Sequence, residues 1–264
     1  DLRLVVSDMD GTLLDGDGNI PSQLWPLLET MRDRAIAFVP ASGRQCTTLS
    51  TMFGSHLQGM PIIAENGTYV VRDGVDISSS TIDPNLTREV ITGVRQLRND
   101  GHDVGLVVAT KSIAYLERGD DPFVSHVATY YHSHRIVKDL SEHTDDVIKL
   151  SIYDFREASE ATYPTMQRTA PEHQVILATP NWVDIMNPGV NKGSAVEAVQ
   201  RDLGVTADQT AIFGDFLNDL EMMPMAKWSF AMANGHPNIV KASNYVAPPN
   251  TENGVITVLA ALLG

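Results

Sequence analysis

The amino-acid sequence predicts an α/β protein with a doubly wound parallel sheet and an inserted α+β domain. Short apolar segments alternate with amphipathic helical segments at both ends of the chain, a pattern that favours parallel strands joined by right-handed crossovers. The chain has 264 residues, which exceeds the usual size of one domain. The alternation breaks down in the middle of the chain, so a second domain is expected there.

The predicted core consists of short strands and helices that alternate along the chain. They are strands over 2–6, 36–41, 61–64 and 210–213 and helices over 21–34 and 45–53. The first helix is predicted from Leu24, Leu27, Leu28 and Met31, whose spacing is that of one helical face. Because helices separate the strands, we expect the strands to lie parallel in one sheet.

The segment between residues 83 and 181 shows strand and helix signals in a different order. The predicted elements are helices over 87–98, 122–131 and 157–169, a hairpin of strands over 104–109 and 113–117, and strands over 147–153 and 175–178. Pro84 and Pro180 stand near its ends. We therefore predict a core domain formed by residues 1–82 and 182–264, and an inserted domain at residues 83–181.

Composition and charge disfavour several classes of protein. The net charge of −14 at pH 7 disfavours a nucleic-acid partner, because such binding depends on lysine and arginine contacts to phosphates. No run of 18 apolar residues and no secretory leader is visible, so we expect a cytoplasmic protein without a membrane partner. The single cysteine, Cys46, cannot form a disulfide within the chain. A small anionic ligand is compatible with this charge if a metal ion or a few cations reverse the local field.

Acidic residues follow two of the predicted core strands. Asp8 and Asp10 come after the first strand, and Asp215 and Asp219 come after the strand over 210–213. Residues at the carboxyl ends of parallel strands converge on one crevice, the usual ligand site of such sheets. Carboxylates this close repel one another unless a cation lies between them, and oxygen donors without histidine or cysteine suit Mg²⁺. We therefore predict a Mg²⁺ site formed by these four residues. Holding a metal-bound water and orienting Lys192 are alternative roles for Asp219.

Other residues expected near these carboxylates suit a phosphate group. The backbone N–H groups of residues 9–12 form a phosphate-sized nest, Ser42 offers a hydroxyl and Lys192 offers a fixed positive charge. Phosphoryl transfer requires a positioned nucleophile, a divalent cation and neutralisation of the equatorial oxygens. Asp8 is the predicted nucleophile, which would form an aspartyl-phosphate, and Asp10 is the predicted general acid and base.

Four short motifs resemble those of a known superfamily. Residues 8–13 (DMDGTL) resemble the DxDGT(L/V) motif of the haloacid dehalogenase superfamily of phosphohydrolases. Residues 42–44 (SGR) resemble its second motif, Lys192 its third, and residues 214–219 (GDFLND) its fourth, in the GDxxND form. With its long insertion between the second and third motifs, the chain resembles the Cof-like branch with a type IIB (C2B) cap. The resemblance implies a Rossmann-like core, a mobile cap, Mg²⁺, and dephosphorylation of small phosphorylated metabolites, commonly sugar phosphates.

The predicted site combines these observations with the resemblance. The predicted catalytic residues are Asp8, Asp10 and Lys192, and the predicted metal ligands are Asp8, Asp10, Asp215 and Asp219. The residues predicted to bind substrate or phosphate are Met9, Gly11, Thr12, Ser42, Gly43, Arg44, Asn66, Asn191 and Asn218. Asn234 is a further candidate contact on the substrate side. The predicted partner is a small phosphorylated metabolite.

Some of these residues also have a purely structural interpretation. Ser42 is well placed to cap the helix that follows it, and Asn66 precedes Gly67 in a turn. Lys192 would otherwise be a solvated lysine at the start of an amphipathic helix. Two other functions stay open, a phosphomutase that returns the phosphoryl group to its substrate and a non-catalytic protein that binds phosphorylated metabolites. Asp10 favours an enzyme, since a binding protein needs no acid–base residue.

Overall fold

The structure is a computed structural model that describes residues 1–264. Its strands, in chain order, are β1 Leu4–Ser7, β2 Ala37–Pro40, β3 Pro61–Ala64, β4 Tyr69–Arg72, β5 Val75–Ser79, β6 Val104–Thr110, β7 Ala114–Leu116, β8 His134–Ile136, β9 Val147–Asp154, β10 Gln174–Leu177, β11 Trp182–Met186, β12 Thr210–Gly214, β13 Trp228–Met232 and β14 Tyr245–Ala247. Its helices are α1 Leu24–Asp33, α2 Cys46–Phe53, α3 Pro84–Asn99, α4 Asp121–Tyr130, α5 Thr162–Thr169, α6 Lys192–Leu203, α7 Pro237–Ala242 and α8 Gly254–Leu263.

The chain forms two compact units. The first unit consists of Asp1–Gly43, Leu49–Ser78 and Asn191–Gly264, and the second unit consists of Arg44–Thr48 and Ser79–Val190. These limits differ from the predicted boundaries, which placed residues 79–82, 44–48 and 182–190 in the core domain.

The largest difference concerns β11, which the sequence prediction placed in the core. Pro180 lies in the turn between β10 and β11, where Ala178 N donates to Trp182 O at 2.9 Å. β11 pairs antiparallel with both β10 and β9, so its backbone groups are hydrogen-bonded inside the second unit. The proline therefore marks a hairpin turn and not a domain boundary.

The first unit is built around a five-stranded sheet in the order β14-β13-β12-β1-β2, in which all neighbouring strands are parallel. β1 lies between β12 and β2, with Leu4 opposite Thr210 and Ala37. All four residues of β1 are buried, as expected for a strand covered on both faces. Val196 and Val199 of α6 join the same buried cluster as Leu4. The predicted doubly wound parallel sheet is confirmed.

The strand over 61–64 meets this sheet only through a parallel bridge and belongs mainly to a second sheet. It forms β3 of a separate three-stranded sheet in the order β3-β4-β5, and pairs antiparallel with β4. A single bridge between Ala41 and Ile63 connects it to the end of β2. In the turn after β3, Glu65 and Asn66 both have a positive φ, and the chain reverses directly into β4.

The second unit contains a six-stranded sheet in the order β10-β11-β9-β6-β7-β8. Its strand pairs are antiparallel, apart from the parallel pair of β7 and β8. The consecutive residues Leu106 and Val107 belong to two different buried clusters, as expected for the two faces of a strand. One cluster includes Val90 of α3, and the other includes Phe123 of α4. The predicted α+β character of the insertion is confirmed.

Acidic caps define the starts of two helices in the second unit. Asp83 accepts a hydrogen bond from Asn85 N at 2.7 Å before α3, and Asp120 accepts one from Phe123 N before α4. α3 is the longest helix, with 16 residues. None of the helices combines the length and the apolar character needed to cross a membrane.

Candidate active site

The carboxyl ends of β1 and β12 bring three carboxylates together in the first unit. Asp8 follows β1 directly, and its N–H donates to Phe213 O of β12 at 3.0 Å. Asp215 follows β12 directly, and Asp219 lies in the short turn after it. One carboxylate oxygen from each of Asp8, Asp215 and Asp219 lies within 4.8 Å of the others. The strand ends thus converge as the parallel sheet predicts.

Lys192 connects two of these carboxylates. Its Nζ donates to Asp8 Oδ1 and, at 2.7 Å, to Asp219 Oδ1. Lys192 and Asp219 are 0% exposed and Asp8 is 6% exposed, so the three charges lie away from solvent. A buried lysine needs such partners, because an unpaired buried charge is strongly unfavourable. The alternative of a solvated lysine at a helix start is therefore wrong.

The start of α6 fixes the position of Lys192. Asn191 caps the helix, its Oδ1 accepting from Ser194 N at 2.9 Å, and Asn191 N donates to Ser194 Oγ at 3.1 Å. Gly193 lies against the backbone of Glu221, where an added Cβ would be 2.2 Å from Glu221 O. The Asn191 side chain, predicted to contact substrate, thus uses its oxygen as a helix cap.

Asp219 also organises the loop that carries Asp215. Its Oδ2 accepts hydrogen bonds from Asp215 N at 2.9 Å and from Phe216 N at 3.2 Å, while Oδ1 accepts from Lys192. Both oxygens of Asp219 therefore have partners within the protein. This arrangement agrees with the alternative role considered for Asp219, the orientation of Lys192.

The turn after β1 packs directly against Asp215. Thr12 Oγ1 donates to Asp215 Oδ1 at 2.6 Å. Gly11 has a φ of +81°, and a Cβ added there would lie 2.5 Å from Asp215 Oδ2. Glycine is required on both grounds, since a side chain would be strained by the dihedral angle and would displace the carboxylate. Met9 in the same turn is fully buried, so only its backbone could serve a ligand as predicted.

Asp10 does not join the carboxylate cluster, contrary to the prediction of four metal ligands. Its side chain is exposed, and it is absent from the group formed by Asp8, Asp215 and Asp219. The turn of residues 9–13 departs from helical geometry at Asp10, where ψ is 119°. Asp8 is buried and Asp10 is exposed, although only one residue separates them in the sequence.

Burial and mutual repulsion set the protonation of the site. Burial raises the pKa of Asp8 well above its usual value, and Asp219 raises it further, while Lys192 lowers it. Burial also raises the pKa of Asp215 to about 6, although the hydrogen bond from Thr12 lowers it. Burial lowers the pKa of Lys192, but the charges of Asp219 and Asp8 outweigh this effect and hold it above that of a free lysine. Lys192 is therefore a permanent cation among carboxylates that repel one another.

The residues of the cluster fit a divalent metal such as Mg²⁺. All the donors are carboxylate oxygens, which hard cations prefer, and no histidine or cysteine takes part. Burial is the main cause of the raised pKa values of Asp8 and Asp215, and the charge of Asp219 raises both further. A divalent cation would offset this negative charge. Asp8 and Asp215 are the best placed ligands, because Asp219 has both oxygens hydrogen-bonded.

Ser42, Asn66 and Asn218 form a second group of predicted residues in the first unit. Ser42 N donates to Ile63 O at 3.0 Å, and Asn66 N donates to Ser42 O at 2.9 Å. Asn218 Nδ2 donates to Asn66 Oδ1 at 3.2 Å. Gly43 lies beside the Asn66 amide, where an added Cβ would be 3.1 Å from Asn66 Oδ1. The structure therefore brings these predicted phosphate-binding residues together.

Arg44 lies in the second unit. Its guanidinium donates to Thr129 O at 2.8 Å and lies over the ring of Tyr130, 5.3 Å from the ring centroid. The prediction that Arg44 binds phosphate stays a prediction.

Sequence reasoning missed the contact that Asn234 makes in the first unit. The residue was a candidate for the substrate side, but its Nδ2 donates to Gly11 O at 2.8 Å. His236 N, two residues later, donates to Asp215 O at 2.8 Å. The loop after β13 therefore touches both acidic loops of the site. The position of this loop after a core strand was the signal available in the sequence.

Comparison with known proteins gives consistent matches over the whole chain. The family model of haloacid dehalogenase-like hydrolases matches residues 5–259, which include all four motifs. The protein of Escherichia coli (strain K12) named 5-amino-6-(5-phospho-D-ribitylamino)uracil phosphatase YbjI is 28% identical over 269 residues, covering 99% of this chain and 96% of that protein.

Solved structures share the fold. SMU.1108c from Streptococcus mutans UA159 has a TM-score of 0.86 at 24% identity, covering 100% of this chain and 99% of that chain. The HAD subclass IIB sugar phosphatase BT4131 has a TM-score of 0.81 at 21% identity, with 98% of each chain covered. At these identities the similarity concerns the fold, including the inserted domain.

Proposed function

The chain belongs to the haloacid dehalogenase-like hydrolases, and we propose that it is a Mg²⁺-dependent phosphatase of small phosphorylated metabolites. The family predicted from the four motifs is confirmed by the match over residues 5–259. The similarity to a HAD subclass IIB structure agrees with the predicted Cof-like branch. The activity named for the E. coli relative agrees with the predicted class of enzyme, a hydrolase of phosphate monoesters.

The observation that carries this proposal is the contact of Lys192 with both Asp8 and Asp219. Because Lys192 is fully buried and paired, its charge stays next to the Asp8 carboxylate. This charge lowers the pKa of Asp8 against the effect of burial and so favours the ionised form that a nucleophile requires. The hydrogen bond also holds the carboxylate in one orientation, which reduces the entropy cost of attack.

The proposed reaction has two displacements at phosphorus. In the first, an Asp8 oxygen forms a bond to phosphorus as the bond from phosphorus to the ester oxygen breaks, and Asp10 donates a proton to that leaving oxygen. In the second, a water molecule gives a proton to Asp10 and attacks phosphorus, which releases inorganic phosphate and regenerates Asp8. Mg²⁺ bound by Asp8 and Asp215 would offset the negative charge of the phosphoryl oxygens.

The remaining groups suit the phosphoryl oxygens. The backbone N–H groups of the turn after β1 and the Ser42 hydroxyl are donors of the kind that an anion requires. We propose the same role for Asn66 and Asn218, which contact each other beside Ser42. We propose that the first unit is the catalytic core and the second unit its cap.

The names of the relatives support a substrate class. One relative is named for a phosphate ester of a ribityl chain and another is named a sugar phosphatase. We propose phosphate monoesters of sugars or polyols as the substrates of this chain. The net charge of −14 disfavours nucleic acid as an alternative partner. We further propose that the protein acts in the cytoplasm.

The experiment that tests the proposal measures inorganic phosphate release from a panel of sugar, polyol, nucleotide and cofactor phosphates. Wild type is compared with Asp8→Asn, in Mg²⁺ and in EDTA. Asp17→Asn is the matched control, because Asp17 is an exposed aspartate of the same segment. We expect release by wild type and by Asp17→Asn in Mg²⁺, and none by Asp8→Asn or in EDTA.

Other results would change the assignment. Full activity of Asp8→Asn would show that another group is the nucleophile. Phosphate release that requires an activating bisphosphate would favour a phosphomutase. Tight binding of a phosphorylated metabolite without any turnover would favour a binding protein.

A further inference from the structure

Two asparagine side chains hold the turn that carries Asp10. Asn234 Nδ2 donates to Gly11 O at 2.8 Å, and Asn234 Oδ1 accepts from Asn250 N at 3.0 Å. Asn250 Nδ2 donates to Leu14 O at 2.8 Å. We call Asn234 and Asn250 the amide clamp. The clamp fixes a carbonyl in the middle of the turn and a second carbonyl at its end.

The turn itself has features that make such support useful. Its backbone contacts include hydrogen bonds from Leu13 N to Asp8 O at 3.3 Å and from Leu14 N to Met9 O at 2.9 Å. Gly11, the residue after Asp10, has a φ of +81° and no side chain to restrict its rotation. A hydrogen bond to the Gly11 carbonyl therefore restricts the backbone next to the exposed Asp10 side chain.

The loop that carries Asn234 is itself held against the second acidic loop. His236 N donates to Asp215 O at 2.8 Å. Gly235 lies so close that an added Cβ would be 3.0 Å from Asp215 O. Asn234 thus reaches Gly11 from a loop whose position is tied to Asp215. The loop after β13 therefore donates hydrogen bonds both to the backbone beside Asp10 and to the backbone of Asp215.

We propose that Asn234, supported by Asn250, is a positioning residue that sets the place of Asp10 for proton transfer to the leaving group. This inference rests on the proposed function, in which Asp10 is the general acid. Asn234 acts through the Gly11 carbonyl and does not itself touch the substrate. A general acid must lie within hydrogen-bond reach of the leaving oxygen, and a displacement of about 1 Å costs up to about 100-fold in rate.

The test uses two phosphate esters that differ in their need for an acid. p-Nitrophenyl phosphate releases a weakly basic phenolate, which leaves without a proton, whereas glycerol 3-phosphate releases a strongly basic alkoxide. For Asn234→Ala we expect kcat/KM, which reports the first displacement, to fall about tenfold or more on glycerol 3-phosphate and less than about threefold on p-nitrophenyl phosphate. The second displacement, in which Asp10 acts as the base, is the same for both esters and does not enter kcat/KM. Asn250→Ala is expected to show the same preference with a smaller loss. Asp10→Asn gives the reference pattern for an absent acid.

Asn244→Ala is the matched control. Asn244 is also an exposed asparagine of the first unit, and its Nδ2 donates to a carbonyl, that of Lys227, at 2.9 Å. We expect this variant to keep wild-type kcat/KM on both esters. Amide hydrogen exchange provides a readout that needs no activity, and we expect faster exchange at Leu13 and Leu14 in Asn234→Ala but not in Asn244→Ala.

The outcomes separate the clamp from the proposed function. Equal loss of kcat/KM on both esters, or no loss on either, would overturn the positioning role of Asn234. Absence of phosphate release by wild type from both esters would instead overturn the proposed function. In that case the exchange measurement still decides the clamp, since unchanged exchange at Leu13 and Leu14 in Asn234→Ala would overturn it.

Discussion

Replacement of Lys192 by methionine removes the cation that contacts both Asp8 and Asp219. Methionine keeps an unbranched side chain of similar length but carries no charge. In the variant, a fully buried carboxylate and one that is 6% exposed lose their common partner. Removal of one partner of a buried ion pair costs about 3–5 kcal/mol, and we expect the upper part of this range because two carboxylates are affected.

The cost is expected to depend on pH and on the metal. Lys192 lowers the pKa of Asp8, so Lys192→Met raises that pKa further above its value in the unfolded chain. A carboxyl group whose pKa is raised by folding favours the folded state at low pH and loses this contribution as the pH rises. The loss of stability is therefore expected to be larger at pH 8 than at pH 5. Saturating Mg²⁺ would restore positive charge at the carboxylates, so the difference from wild type is expected to shrink.

Urea unfolding at both pH values, in EDTA and in Mg²⁺, measures these differences. Lys227→Met is the matched control, because Lys227 is 59% exposed and its Nζ lies 3.8 Å from Asp208 Oδ1. An exposed pair of this kind contributes less than about 1 kcal/mol. If Lys192→Met costs no more than Lys227→Met, or costs the same amount in all four conditions, the role assigned to the buried lysine is wrong.

Three further predictions concern the contacts around Asp215. Mg²⁺ binds ionised carboxylates, and burial raises the pKa of Asp215 to about 6 and that of Asp8 well above its usual value. The apparent dissociation constant of Mg²⁺ is therefore expected to rise at least about tenfold per pH unit below pH 6. Thr12→Val removes the hydrogen bond that lowers the pKa of Asp215, so the loss of Mg²⁺ affinity is expected to begin at a higher pH in this variant. Calorimetric titration with Mg²⁺ measures the affinity. Equal Mg²⁺ affinity of wild type at pH 5 and pH 7 would contradict the predicted pH dependence, and an unchanged onset in Thr12→Val would contradict the role of the hydrogen bond. Gly11→Ala and Gly18→Ala both place a side chain at positive φ, +81° and +78°, and this backbone strain is expected to cost each variant about 1 kcal/mol of unfolding free energy. Only at Gly11 would the new Cβ contact Asp215. We therefore expect only Gly11→Ala to lose Mg²⁺ affinity and phosphatase activity. Equal activity of the two variants would show that Asp215 moves without cost.

The sequence predicts the sheet of the first unit because the relevant signals are local. β1 and β12 are short apolar runs that end in polar residues, and the rule of parallel strands then places Asp8 beside Asp215. β11 could not be placed in the same way. A proline–asparagine turn before it indicates a hairpin as readily as a domain boundary, and only the pairing of β11 with β9 distinguishes the two.

In the candidate site, too, features set by local sequence could be predicted, whereas features set by contacts between distant residues could not. The convergence of three carboxylates with Lys192 follows from strand ends and motif spacing. The exposure of Asp10 does not, because it depends on the backbone angles of two residues in one turn. Nothing in the sequence indicated a role for Asn250. Its contact with Leu14 joins residues 236 positions apart, and no strand or helix pattern predicts such a contact between loops.

The charges of the site explain why a metal and not Lys192 would govern phosphate affinity. Three carboxylates face one lysine, on a chain whose own net charge is −14, so the metal-free site repels a phosphate ester. Lys192 cannot reverse this field, because its ammonium group is already bound to Asp8 and Asp219. A divalent cation would compensate the excess negative charge and leave the phosphoryl oxygens free to bind the backbone N–H groups. We infer that the lysine holds Asp8, the proposed nucleophile, in place, and that phosphate binding would depend on a bound metal.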